Sequence, residues 1–217
     1  MIKKKAYIFD LWNTLIVKKG RKETDMVSEH FGLDRNEVHE WIRISSVGKN
    51  AREKYRVFEL LCMENDIEFT ERDKSFVDEL YDEYLRECEW IEGAKELIVS
   101  LKEKGYRVGI LSNTTDLSHS VLEHFDLDKM VDHVVLSCDV GYLKPDPRIF
   151  QSILDEMNLK NNEVVMIGDK ITTDILGAKT MNIDSILFEP RIDNKKIIYN
   201  SSINGVVNKI SDVAQFA

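Results

Sequence analysis

The chain has 217 residues, 43% of them hydrophobic, and carries a formal net charge of −9 with an isoelectric point near 5.2. That length suits one large domain or a domain with an insert, and acidity without any basic block argues against nucleic acid or an anionic membrane as partner. Three scattered cysteines, Cys62, Cys88 and Cys138, with no CxxC pair, suggest ordinary reduced or buried thiols and neither a zinc motif nor a disulfide framework. The basic start, MIKKKAYIFD, has too short an apolar run for a signal peptide, and no stretch approaches membrane-spanning length. The expectation is a soluble cytoplasmic protein.

In chain order, the first apolar run, Ala6–Phe9, reads as a buried strand. From about Lys18 to Glu89 no strand is expected. Apolar faces at Val38, Trp41 and Ile42, at Val57, Leu60 and Leu61, and at Leu80, Tyr81, Tyr84 and Leu85 predict about four helices inserted after that strand. Ala94, Leu97, Ile98 and Leu101 follow helical spacing, with Gly105 as a stop. Strands follow at 106–111, 133–137, 163–167 and 185–188, near-continuously apolar as in parallel sheets covered on both faces. Between them Pro147 fits the first turn of a helix carrying Ile149, Phe150, Ile153, Leu154 and Met157, and Ile171–Met181 reads as another helix. A late run, 205–210, adds an edge strand. Strand–helix alternation predicts an α/β doubly wound parallel sheet, with residues 1–17 and 90–217 as its core and 18–89 as the helical insert.

Polar clusters follow the strand ends: Asp10, Ser112 with Asn113, Lys144, and Asp169 with Asp174. Ligands bind at the carboxyl edge of such sheets, so these residues are expected to converge. Each alone also fits a bland role, such as an Asp capping a helix or a lysine beside a turn.

The stretches FDLWNTL (9–15), ILSNTT (110–115), YLKPDPRIF (142–150) and IGDKITTD (167–174) resemble the motifs of the haloacid dehalogenase superfamily of hydrolases, whose Rossmann-like core often carries a helical cap after the first strand. The resemblance implies that Asp10 is the nucleophile, becoming an aspartyl ester or aspartyl phosphate. Ser112 and the backbone N–H of Asn113 bind the transferring group, alongside Leu11 and Trp12, and Lys144 holds Asp10. Asp10, Asp169, Asp174 and the carbonyl of Trp12 hold Mg²⁺. The physical logic agrees: a carboxylate attacking a phosphate dianion meets like-charge repulsion, which a dication and a lysine offset, and Mg²⁺ takes hard oxygen ligands.

Trp12 departs from the pattern. Phosphatases of this superfamily usually place a second Asp there, to protonate the leaving oxygen and activate water. Indole cannot do this, nor can the amide of Asn13, which suits a turn. Three readings follow. A Mg²⁺-dependent phosphatase of small phosphorylated metabolites tolerates the loss or recruits an acid from the cap or substrate. A 2-haloacid dehalogenase expels halide without protonation. A non-catalytic binding protein keeps only the metal site. Retention of both Asp169 and Asp174 favours the phosphatase, because a dehalogenase needs no metal. Trp12 itself either packs against the cap or stacks on substrate. Trp41, Arg43, Lys49, Arg52, Lys54, Tyr55 and Arg56 suggest a cationic cap face, though such charges are usually just solvated. The five histidines form no ligand motif. Monomer and homodimer are both compatible.

Overall fold

The computed structural model describes residues 3–47, 54–191 and 204–217. The chain runs through β1 (Ala6–Phe9), β2 (Ile16–Lys18), α1 (Glu23–Phe31), α2 (Arg35–Ser45), α3 (Arg56–Glu64), α4 (Glu71–Glu87) and β3 (Cys88–Trp90). It continues through α5 (Ala94–Glu103), β4 (Arg107–Ser112), α6 (Leu117–His124), α7 (Leu127–Met130), β5 (His133–Leu136), α8 (Ser137–Val140) and α9 (Pro147–Met157). It ends with β6 (Val164–Gly168), a π turn at Ile171–Ile175, α10 (Leu176–Thr180), β7 (Asp184–Phe188), β8 (Gly205–Val207) and a 3₁₀ segment at Ile210–Phe216.

Among the described residues six strands form one parallel sheet in the order β5-β4-β1-β6-β7-β8, the α/β arrangement that the alternation of apolar runs predicts. Its apolar continuity has a direct cause. Along β1, Tyr7 and Phe9 enter one core cluster and Ala6 and Ile8 enter the other, so both faces are dry. The second cluster is sealed by Ile149, Phe150, Ile153 and Met157 of α9. That helix starts where expected, because Pro147 occupies its first turn and the Asp146 carboxylate accepts from the Arg148 N–H at 2.9 Å. The first cluster runs on into the helical segment, through Trp41, Phe58 and Leu80.

Two features differ from the sequence reading. The region 18–89 is not free of strand. Lys18 ends β2, which pairs antiparallel with β3, matching Ile16 to Trp90 and Lys18 to Cys88. Three-residue strands are too short to show a period, so no pattern announces them. This ribbon brings the two ends of the four-helix segment together, and Lys18 and Glu87 clamp it with an ion pair of 2.5 Å. Second, Ile171–Met181 is not one regular helix. Its first turn is a π turn, with Ile175 N–H reaching back to the Lys170 carbonyl at 3.4 Å. Among the described residues no helix is long and apolar enough to cross a membrane.

Candidate active site

β1 lies between β4 and β6, and a crevice opens where their carboxyl ends diverge. Phe9 pairs with Ile110 on one side and Ile167 on the other, and the Asp10 N–H then donates to the Ile167 carbonyl at 2.8 Å. Asp10 therefore stands in the crevice, next to Ser112 at the end of β4 and Asp169 after β6. The π turn adds Asp174. Its carboxylate packs on Gly168, where a Cβ would come within 2.3 Å of Asp174 Oδ2. Only glycine fits there. Asp174 Oδ2 also accepts the Lys170 N–H at 2.9 Å, which fixes its direction.

Lys144 arrives from the loop after α8. Its main chain is held by Asn113, whose Oδ1 accepts the Lys144 N–H at 2.7 Å and whose Nδ2 donates to the Lys144 carbonyl at 2.9 Å. The buried ammonium donates to Asp10 Oδ1 at 2.7 Å, to the Leu111 carbonyl at 2.7 Å and meets Asp174 Oδ1 at 2.8 Å. All three of its protons are used. Burial works against its charge, yet Asp10 and Asp174 overcome that and hold its pKa above the ordinary value.

Carboxylate oxygens of Asp10, Asp169 and Asp174 all lie within 4.8 Å of one another. Three carboxylates against one buried ammonium leave two negative charges, the charge a dication cancels. The mutual repulsion of these carboxylates disfavours their charged forms. Burial first, then Asp174 and Asp169, push Asp10 up to about 6 despite the opposing pull of Lys144. Burial and then Asp174 raise Asp169 as well. The donor set is all hard oxygen, which fits Mg²⁺. Asp10, Trp12, Asn13, Asn113, Lys144, Asp169, Lys170, Thr173 and Asp174 line a cavity of about 60 Å³ here.

Ser112 is fully buried and its hydroxyl has no hydrogen-bond partner among the described residues. A buried hydroxyl left unpaired in this way is destabilising, so a ligand that accepts from it is the natural complement. Ser112→Ala should leave unfolding stability unchanged or raise it by up to about 1 kcal/mol. If the hydroxyl contacts the transferring group, the same variant loses roughly 10²–10³ in turnover. Paired urea denaturation and activity assays decide this; a destabilised variant with full activity would contradict it.

Leu11 is fully buried in the core, leaving only its main chain for a ligand, and its carbonyl accepts the N–H groups of Leu15 and Ile16. Trp12 lines the cavity, but its ring is committed. The indole meets Tyr84 of α4 edge-on at 5.6 Å, and Nε1 donates to Thr114 Oγ1 at 3.1 Å. It packs against the helical segment, the first of the two roles expected for it. Asn13 takes the left-handed conformation, φ 56°, that suits it to the turn.

Sequence reading missed several residues here. Lys170 and Thr173 line the cavity, and Thr114 anchors Trp12. Their neighbours in sequence signalled the site, but no motif singled them out. A second set spans the junction with the helical segment: Glu23 on α1, Tyr81 on α4 and Asp116 before α6. Tyr81 donates to Asp116 Oδ2 at 2.7 Å. Burial and then Asp116 push Glu23 up to about 7, with Lys18 pulling the other way. Glu23 thus binds its proton more tightly folded than unfolded. That favours folding below its ordinary value of 4.5, and the benefit is lost as pH rises through about 7. Glu23→Gln should therefore gain about 1 kcal/mol at pH 8, after allowance for solvent screening. It should gain nothing at pH 4. Equal urea midpoints for variant and wild type at both pH values would contradict this.

The expected cationic face does not form among the described residues. Trp41 is buried against Phe58. Arg43 pairs with Glu40 and Arg56 with Glu59 one helical turn away, while Tyr55 and Lys54 both engage Asp78. Lys49 and Arg52 lie outside the described residues.

A family model described as haloacid dehalogenase-like hydrolase matches residues 4–182. The glyceraldehyde 3-phosphate phosphatase of Pyrococcus abyssi is 33% identical over 107 residues, 49% of this chain and 44% of that protein. The chain thus spans under half the length of that relative. Among solved structures, a HAD phosphatase from Thermococcus onnurineus superposes with a TM-score of 0.69 at 20% identity, covering 98% of this chain and 97% of its own. A 2-haloacid dehalogenase from Pseudomonas syringae pv. Tomato DC3000 superposes with a TM-score of 0.70 at 17% identity, covering 99% and 100%. At those identities the superpositions speak to fold alone.

Proposed function

The chain belongs to the haloacid dehalogenase-like hydrolases, and from that premise we propose that it is a Mg²⁺-dependent phosphatase of small phosphorylated metabolites, working through an aspartyl-phosphate on Asp10. The observation that carries this reading is the cluster of Asp10, Asp169 and Asp174 around the buried Lys144 ammonium. A carbon-centred dehalogenation has no use for three converging carboxylates, whereas phosphoryl transfer needs a dication there. The named phosphatase activity of the Pyrococcus abyssi relative points the same way.

Asp10, Asp169, Asp174 and the Trp12 carbonyl would hold the ion. Bound Mg²⁺ supplies Lewis-acid stabilisation of phosphoryl charge next to an anionic nucleophile. The rest falls to the chain. Lys144 pins Asp10 Oδ1, which leaves Oδ2 outside that hydrogen bond as the attacking oxygen. Asp10 attacks phosphorus, the bond to the ester oxygen breaks, and the leaving group departs with its electron pair. The Ser112 hydroxyl and the Asn113 N–H donate to the phosphoryl oxygens as charge develops. Water then attacks phosphorus, releasing phosphate and restoring Asp10.

Neither step has an acid–base partner at position 12. Such help is typically worth ~10²–10⁴ in rate, or about 3–5.5 kcal/mol of barrier. The enzyme should therefore prefer leaving groups that depart without a proton. Trp12→Asp is expected to raise the ratio of alkyl to aryl phosphate turnover by roughly tenfold or more. No change in that ratio would mean that the pocket is rebuilt around the indole and its contacts to Tyr84 and Thr114.

The reading is tested by phosphate release from a panel of phosphorylated aldehydes, sugars and aryl phosphates, with Mg²⁺ and with chelator. Release that chelator abolishes is expected. Release that survives chelator, or halide release from 2-haloacids in its presence, would overturn it.

A further inference from the structure

A second group of metal-ligating side chains shares no residue with the Asp10 site. His119 sits near the start of α6, and Cys138 and Asp139 belong to α8. One ligand atom from each lies within 4.8 Å of the others, and His119 Nε2 is 3.2 Å from Asp139 Oδ1. That spacing is an ordinary imidazole–carboxylate hydrogen bond, and it is also compatible with shared ligation of one ion. A tetrahedral zinc ion with Zn–N and Zn–O bonds near 2.0 Å sets its nitrogen and oxygen ligands about 3.3 Å apart. With a Zn–S bond near 2.3 Å, sulfur and nitrogen should stand about 3.6 Å apart, so ligand atoms within 4.8 Å of one another have to close by at most about 1.2 Å. His119 is free to make that movement, being 46% exposed. Cys138 and Asp139 are held in place by the preceding Ser137, whose hydroxyl donates to the Thr114 carbonyl at 3.1 Å and accepts the Thr114 N–H at 2.8 Å. A cavity of about 460 Å³ lined by Lys54, Tyr81, Asp116, His119 and Ser120 gives an ion access from the imidazole side.

We propose that His119, Cys138 and Asp139 form a site for a borderline divalent cation, Zn²⁺ by their chemistry, with water in the fourth position. Nitrogen, sulfur and carboxylate donors select zinc-like ions, and they disfavour Mg²⁺, which prefers oxygen. On binding, the Cys138 S–H proton passes to solvent as the sulfur–metal bond forms. The bound ion would tie α6 to α8 beside Thr114, the residue that anchors Trp12.

Titration of the chelator-stripped full chain with Co²⁺ tests this without any activity assay. The wild type should develop thiolate-to-cobalt charge-transfer absorption, saturating at one equivalent. Cys138→Ser should abolish that band. His119→Ala, altering a half-exposed side chain that does not threaten folding, should weaken Co²⁺ binding by roughly 10–100-fold or more. Asp10→Asn should leave the band unchanged, since an all-oxygen site cannot produce it, so the result does not depend on the phosphatase reading. The proposal is overturned if saturating Co²⁺ gives the wild type no charge-transfer band. It is also overturned if the band survives Cys138→Ser, or if His119→Ala binds Co²⁺ as tightly as wild type.

Discussion

Asp10→Asn is expected to cut phosphate release by at least ~10⁴-fold, the scale of losing a nucleophile on which the rest of the site depends, and to leave the fold intact. The two outcomes come from the same environment. Asp10 is 7% exposed, and its burial already disfavours the charged form, so the neutral amide removes a desolvation penalty as well as a charge. Lys144 is not orphaned, because it keeps Asp174 at 2.8 Å and the Leu111 carbonyl at 2.7 Å. Stability should therefore stay within about 1 kcal/mol of wild type. An amide oxygen, however, is too weak a nucleophile to form the phosphoryl intermediate. Urea denaturation and steady-state kinetics on the same preparation check both halves, and substantial residual activity would contradict the assignment.

Lys144→Met should do the opposite to stability. Removing the ammonium takes from the buried Asp10 and Asp174 the counter-charge they share and deprives the Leu111 carbonyl of a donor. Breaking a buried pair by deleting one partner typically costs about 3–5 kcal/mol. The deficit should depend on pH in a definite direction. Without Lys144 the strongest influence lowering Asp10 is gone, so its pKa climbs above the present value of about 6. An acid whose pKa is raised by folding favours the folded state at low pH and loses that benefit as pH rises through the raised value. The variant should therefore approach wild-type stability near pH 5 and fall furthest behind at pH 7.5. Mg²⁺ at pH 7.5 should narrow the gap, because a dication offsets the same charges. Equal deficits at both pH values, unaffected by Mg²⁺, would contradict this account of the site.

The sheet was legible because its strands are buried on both faces, so Ala6–Phe9 and the later runs are near-continuously apolar. The convergence of Asp10, Lys144, Asp169 and Asp174 was legible only as a set. Any one of those residues fits a cap or a turn, but all of them follow strand ends in a sheet whose carboxyl edge must gather them. What stayed hidden depends on short elements and distant pairs. β2 and β3 span three residues each, and the π turn that aims Asp174 differs from an ordinary helix by one hydrogen-bond register. Trp12 meets Thr114 across 102 positions, and no pattern on either segment encodes that contact. Glu23 with Asp116, and His119 with Cys138, are equally non-local. Among the described residues the cationic face does not form for another reason: a run of basic residues says nothing of the acids one turn away that pair with Arg43 and Arg56.

The central claim is that phosphoryl passes through Asp10. It is tested most directly by mixing protein, Mg²⁺ and an activated aryl phosphate, quenching in acid within the first turnovers, and mapping the peptides by mass spectrometry. With no acid–base residue at position 12 to activate water, breakdown of the intermediate should be slow enough to trap. The account predicts a phosphoryl adduct on Asp10 that is missing with chelator and in Asp10→Asn. Steady Mg²⁺-dependent turnover in Asp10→Asn, or an adduct on another residue, would contradict it.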